Sequence, residues 1–294
     1  MAEIPPRPWP TGKVERPEPL VARVLAPNPS PYTFTGTQTY IVGTGDAVAV
    51  IDPGPDDADH IAAIMEGVGD ATIAAIMCTH THRDHSPAAA PLARETGAPV
   101  VGCAPLVLAD NGPRADESFD TTYMPDRVLE DGEAMTGPGW TLRAIHTPGH
   151  TSNHLCFALE ETGALFTGDH VMGWSTSVVV PPDGDMGDYM KSLEKLYART
   201  EDGTDRVYYS AHGAPIEKPR QLVRGMIGHR RQRENQIMRL VAEKQRTLPE
   251  FIPLMYKGLD PRLDKAAQMS VHAHLIDLER RGMVVRSGDT WQTV

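Results

Sequence analysis

Between Cys78 and Ser86 the chain reads CTHTHRDHS, directly after the apolar run IAAIM. His80, His82, Asp84 and His85 crowd into six consecutive positions. Imidazole nitrogen and carboxylate oxygen are suitable ligands for Zn²⁺, and less specifically for iron or manganese. In extended backbone, positions i and i+2 point the same way. His80 and His82 can therefore grip one ion, while Asp84 and His85, past the bend, can face a second. A lone HxH is weak evidence; HxHxDH after a buried strand is far more specific.

Three later segments repeat the same local device, a strand, a tight turn and one presented ligand. HTPGHTSNH places His150 after a Pro-Gly turn, LFTGDH places Asp169 after a glycine, and YYSAHG places His212 at a strand end. The remaining histidines read differently. His154 divides evenly between a substrate-binding or ligand-supporting group and a structural hydrogen bond within its turn. His170 points away from its neighbour Asp169 and is expected to be structural; His146 is expected in the core. His272 and His274 lie in a predicted helix, where i and i+2 do not share a face, so they are not read as a metal pair. Cys78 and Cys156 are expected to be inert core thiols.

The elements that must position these groups alternate between strand and helix. Tyr32 to Pro55 reads as two strands joined at Gly43 to Asp46 and ending on an Asp-Pro-Gly turn. A helix over Asp59 to Val68, a strand over Ile73 to Thr79, a helix over Pro87 to Thr96 and the strand APVVG follow. WTLRAIHT, HLCFAL, ALFTGDH and RVYYSAHG supply four more strands. This makes an α/β chain with polar residues massed at strand ends. PPDGDMGDY reads as a loop, with a helix starting over Met190 to Leu196. After Gly213 the texture changes: a long Arg-rich helix (Pro219 to Gln245), a short helix, a helix over Leu263 to Arg281, and a hairpin at Ser287-Gly288-Asp289. That order is winged-helix-like.

Composition narrows the setting. The 294 residues suffice for one large domain with a small appendage. No apolar run approaches the roughly 20 residues of a membrane span. The first 20 residues are Pro-rich, lack a signal-peptide apolar region and are expected to run extended over the surface. The three cysteines are widely spaced, which fits a reducing cytoplasm. The net charge of −11 is uneven: from Lys218 onward there are 15 basic and 8 acidic residues, against 13 and 31 before it. A basic tail suits a polyanion, or docks on the acidic part of the same chain.

THTHRDHS, TPGHTSNH, FTGDH and SAHG, with the IDPG turn at Asp52 to Gly54, resemble the metallo-β-lactamase superfamily. The tail resembles the winged-helix-like end of its β-lactamase-like subgroup. The resemblance implies a four-layer αβ/βα sandwich over residues 1–217, followed by a small helical winged-helix-like domain over 218–294. It also implies two zinc ions per chain, iron or manganese being less expected. His80, His82 and His150 would hold one ion, Asp84, His85 and His212 the other, with Asp169 bridging. The implied reaction is hydrolysis by a metal-bridging hydroxide at an ester, thioester, lactone or β-lactam carbonyl, with Asp84 orienting the water and carrying a proton. An alternative is a metal-dependent endoribonuclease acting on single-stranded RNA, with Arg230, Arg231 and Arg233 on the long helix as candidate contacts. A second alternative is a winged-helix nucleic-acid-binding regulator with a metal sensor domain. The expected partner is a small-molecule substrate, with RNA the alternative, no membrane, and a homodimer compatible with the tail.

Overall fold

The computed structural model describes residues 5–107 and 119–294; the first four residues of the Pro-rich segment lie outside it. Seven strands form a mixed sheet in chain order: β1 (Val14–Glu18), β2 (Val21–Leu25), β3 (Gln38–Val42), β4 (Ala47–Ile51), β5 (Thr72–Cys78), β6 (Val100–Gly102) and β7 (Arg127–Val128). The first four pair antiparallel and the last four parallel. The crossovers from β4 to β5 and from β5 to β6 run through α1 (Ala58–Val68) and α2 (Ala89–Thr96), as parallel neighbours require. A second sheet contains β8 (Ala134–Gly137), β9 (Trp140–His146), β10 (Leu155–Leu159), β11 (Ala164–Gly168) and β12 (Val207–Ser210), in the order β12-β11-β10-β9-β8. Only β11 and β12 pair parallel here, and α3 (Met186–Glu201) spans that crossover.

The pleat explains the layering. Along β9 to β12, Leu142, Ala144, Leu155, Phe157, Leu159, Phe166 and Tyr209 join the core shared with the first sheet and α1. The intervening Ile145, Cys156, Ala158, Leu165 and Tyr208 join a separate core with Tyr189, Leu193 and Leu196 of α3. Successive side chains of a strand face opposite sides, so each strand serves both cores. The result is a four-layer αβ/βα sandwich.

The C-terminal region contains α4 (Pro219–Glu243), β13 (Arg246–Thr247), α5 (Leu248–Met255), a 3₁₀ turn (Pro261–Leu263), α6 (Asp264–Arg280), β14 (Val284–Ser287) and β15 (Thr290–Thr293). The winged-helix arrangement has its own core, built on Ile237, Phe251, Val271, Leu275, Val284 and Trp291. Val223, Met226 and Ile227 of α4 pack instead on the α3 layer. Arg220 pairs with Glu201 at 3.0 Å, Arg231 with Glu194 at 2.9 Å and Arg280 with Asp185 at 2.5 Å. These exposed pairs contribute little individually; the apolar contact carries the docking.

Three expectations are corrected. Residues 14–18 of the N-terminal segment are not merely extended but form an edge strand paired with β2. MGDY is not loop: α3 begins at Met186, because the Asp185 side chain caps it by accepting from the Asp188 N–H at 2.9 Å. His146 is not in the core; it sits exposed at the end of β9, with Nε2 3.3 Å from the Ser152 carbonyl.

Candidate metal centre

The loop leaving β5 carries His80, His82, Asp84 and His85 to the edge of the sandwich, where the turns after β9, β11 and β12 bring His150, Asp169 and His212. Glycine makes two of these turns feasible. At Gly149, with φ +135°, a Cβ would overlap the Tyr189 backbone, and at Gly168 it would lie 2.7 Å from Thr79 Oγ1. The ligand atoms fall into two groups, each within 4.8 Å: His80, His82, His150 and Asp169, then Asp84, His85 and His212. Asp169 belongs to the first group and also reaches the second. Its Oδ2 lies 3.7 Å from His150 Nε2, while its Oδ1 lies 3.2 Å from His212 Nε2 and 3.6 Å from His85 Nε2.

Hydrogen bonding behind the rings sets which nitrogen is bare. His150 Nδ1 donates to the Val178 carbonyl at 2.6 Å, and His212 Nδ1 to the Gly36 carbonyl at 3.2 Å. His85 Nδ1 donates to Asp52 Oδ2 at 3.0 Å. The Thr79 hydroxyl gives its hydrogen to Asp52, so it accepts from His80 Nδ1 at 3.0 Å. Four Nε2 lone pairs therefore point inward. His80 and His150 Nε2 crowd His82 Nδ1 at 2.9 and 3.1 Å. His85 and His212 Nε2 instead face Asp84 Oδ2 at 3.3 and 3.2 Å. With the rings neutral, these nitrogens and carboxylate oxygens converge as a donor set that cations would satisfy. His85 Nε2 and Asp169 Oδ1 are buried without a hydrogen-bond partner, which costs free energy in a finished site. This donor set, all nitrogen and oxygen, fits a pair of divalent ions.

The protonation tendencies without cations divide along the same line. Burial and the neighbouring imidazoles lower His80 well below the usual histidine range and His150 to about 4. Burial acts against the charged form of His212 as well, but the Asp169 and Asp84 carboxylates outweigh it and lift that ring to about 10. Burial acts against the charged form of Asp84 and Asp169, but His85 and His212 outweigh it and hold both carboxylates well below the usual range.

Spacing alone missed Asp52, which was noted only as part of a turn. Its carboxylate accepts from the Thr79 N–H and hydroxyl, both at 2.8 Å, and from His85. An acid closing the fully apolar strand AVAVI was the available signal. His154 is fully buried, hydrogen-bonded to the Thr147 hydroxyl at 2.9 Å, with its ring 5.1 Å from that of His80. His170 is buried against Tyr189 and belongs to neither group, while His272 and His274 lie on α6. Cys78 and Cys156 are buried free thiols raised by burial.

A cavity of about 920 Å³ lies beside the centre, lined by Gly213, which follows His212, and by Thr35 and Gln38, which flank Gly36 and Thr37; none of the seven groups lines it. Leu25, Phe34, Trp174 and Ile216 wall it with Leu222 and Met226 of α4. Phe34 and Trp174 stack at 4.8 Å. Asp84, a quarter exposed, is the most open of the seven groups for which exposure decides access.

Residues 32–212 match the family described as the metallo-beta-lactamase superfamily, and 247–291 the beta-lactamase associated winged helix domain. The chain is 32% identical over 282 residues to a beta-lactamase-like protein 2 homolog of Drosophila melanogaster, covering 89% of this chain and 88% of the relative. It is 35% identical to an atrochrysone carboxyl ACP thioesterase of Passalora fulva, covering 82% of this chain and 66% of that protein. A beta-lactamase domain protein from Burkholderia ambifaria has the same fold, with a TM-score of 0.79 at 20% identity, covering 97% of this chain and 94% of the other.

Proposed function

The chain belongs to the metallo-beta-lactamase superfamily and is a metal-dependent hydrolase, and on that premise we propose that it is a dinuclear zinc enzyme cleaving a thioester or carboxylic ester with a bulky apolar acyl group. The carrying observation is Asp169, whose two oxygens face two separate ligand groups. His80, His82 and His150 would hold one ion and Asp84, His85 and His212 the other, with Asp169 placed to serve both. Bound there, the ions supply Lewis acidity, acidifying water and neutralising charge on the scissile carbonyl oxygen. Asp52 fixes the His85 ring, and the Val178 and Gly36 carbonyls fix His150 and His212. The Asp84 carboxylate, held at Oδ2 by the Thr37 hydroxyl at 3.1 Å, accepts a proton from the attacking water and returns it to the leaving group.

The substrate class rests on the cavity. Its walls suit an aromatic or long aliphatic acyl group, and its volume suits a mid-sized organic molecule. The thioesterase relative supports the same choice over lactones and β-lactams. Against cleavage of single-stranded RNA, several arginines of the tail are already engaged: Arg220, Arg231 and Arg280 pair with carboxylates near or on α3, and Arg230 is buried. We assign residues 1–217 to catalysis and 218–294 to an appended domain that closes the cavity. Among the described residues no helix is long and apolar enough to cross a membrane, and three buried free thiols accord with a cytoplasmic setting. The test compares a long-chain acyl thioester, an acetyl thioester and single-stranded RNA on zinc-loaded protein. Preference for the long acyl chain supports the reading; cleavage of RNA alone would replace it with the nuclease.

A further inference from the structure

Arg230 is a charged group taken almost wholly out of water. It lies on α4 and is 4% exposed, although a place in an Arg-rich helix suggested a surface role. Neighbouring arginines of the tail pair with carboxylates. The Arg230 guanidinium is held instead by neutral groups. Nη2 donates to the Ser177 carbonyl, Nη1 donates to Ser270 Oγ at 3.2 Å, and the group lies over the Tyr189 ring at 5.1 Å. Burying a cation on such partners is costly, so its target is informative.

That target is the segment after β11. The Ser177 hydroxyl donates to the backbone carbonyl of Asp169, and the next carbonyl, Val178, accepts from His150 Nδ1 at 2.6 Å. Residues 173–180 carry no helix or strand to fix them. One guanidinium on the C-terminal region thus anchors Ser177, which holds the Asp169 backbone and directly precedes Val178, the residue that holds the His150 ring. We infer that Arg230 is a positioning residue for the metal centre, acting through Ser177 and Val178, so that docking of the C-terminal region sets the geometry of the shared carboxylate and of one histidine ligand. Outer partners fix the tautomer and aim of a ligating imidazole, and their loss weakens metal binding by roughly 10- to 100-fold. The winged-helix region then acts on the chemistry without entering the site. This rests on the ligand assignment proposed above.

The test uses the full chain loaded with cobalt(II), whose visible spectrum reports ligand geometry and whose loss to EDTA can be timed. Arg230→Met should change the band shape, speed cobalt loss by roughly 10- to 100-fold and lower kcat more than it raises KM. Arg230→Lys should recover part of each effect. Ser177→Ala leaves α4 and Arg230 in place and should shift release in the same direction, which keeps the idea testable if Arg230→Met does not fold. Arg231→Met, at an exposed pair, should release cobalt at the wild-type rate. A wild-type spectrum and release rate in Ser177→Ala, or in folded Arg230→Met, would overturn the inference. So would equal acceleration in Arg231→Met. A wild-type chain that takes up no cobalt would overturn the ligand assignment itself, and this inference with it.

Discussion

Replacing Asp52 by Asn isolates what a buried carboxylate outside the ligand set does. Asp52 has φ +48°, a left-handed conformation that Asn tolerates well, so the backbone cost is small. Three hydrogen bonds converge on the carboxylate. With the amide oxygen at the Oδ1 position, the Thr79 N–H keeps its acceptor. The Thr79 hydroxyl can rotate and accept from the new amide. The bond from His85 Nδ1–H cannot survive, because it would meet an N–H. A hydrogen bond to a charged group is worth about 1.5–3 kcal/mol, or roughly one to two decades in an equilibrium constant. His85 would also gain by shifting its hydrogen to Nε2, the atom that faces Asp84 and Asp169. Asp52→Asn should therefore loosen the ion held by Asp84, His85 and His212 by roughly 10- to 100-fold, and the other much less. Stepwise zinc competition against a chromogenic chelator resolves the two. Wild-type affinity at both sites, in a folded variant, would refute the role given to Asp52.

Other outcomes are equally specific. Gly149→Ala should destabilise the fold by about 3 kcal/mol or more in denaturant unfolding, since its Cβ overlaps the Tyr189 backbone at a left-handed φ. Leu222→Trp should narrow the cavity and raise KM for the long acyl thioester by roughly tenfold while sparing the acetyl substrate. His274 is buried on α6, and burial with nearby Arg230 lowers its pKa to about 3. The unfolded chain takes up that proton near pH 6.5 and the folded chain does not, so stability should fall as pH drops from about 6.5 toward 3. His274→Leu should flatten that part of the profile in urea unfolding measured against pH.

What the sequence made legible was local. Each proposed ligand follows a strand and a tight turn within a few residues, so type and spacing carried the site into view. The hairpin at Gly288 declared itself the same way. The start of α3 was misplaced because Pro and Gly in PPDGDMGDY outweighed the Asp185 cap. His146 was misjudged because period-2 alternation does not reveal where a sheet ends. The links from Asp52 to His85 and from Arg230 to Ser177 span 33 and 53 residues. No periodicity or short motif encodes such contacts; only the folded layers bring them together.

Elemental analysis of the purified, chelator-free wild-type protein beside Asp169→Ala tests the central claim most directly. The wild type should hold about two zinc ions per chain, and the variant should lose most of the second ion together with thioester hydrolysis. Two ions retained in an active Asp169→Ala protein, or none in the wild type, would contradict a dinuclear centre joined through Asp169.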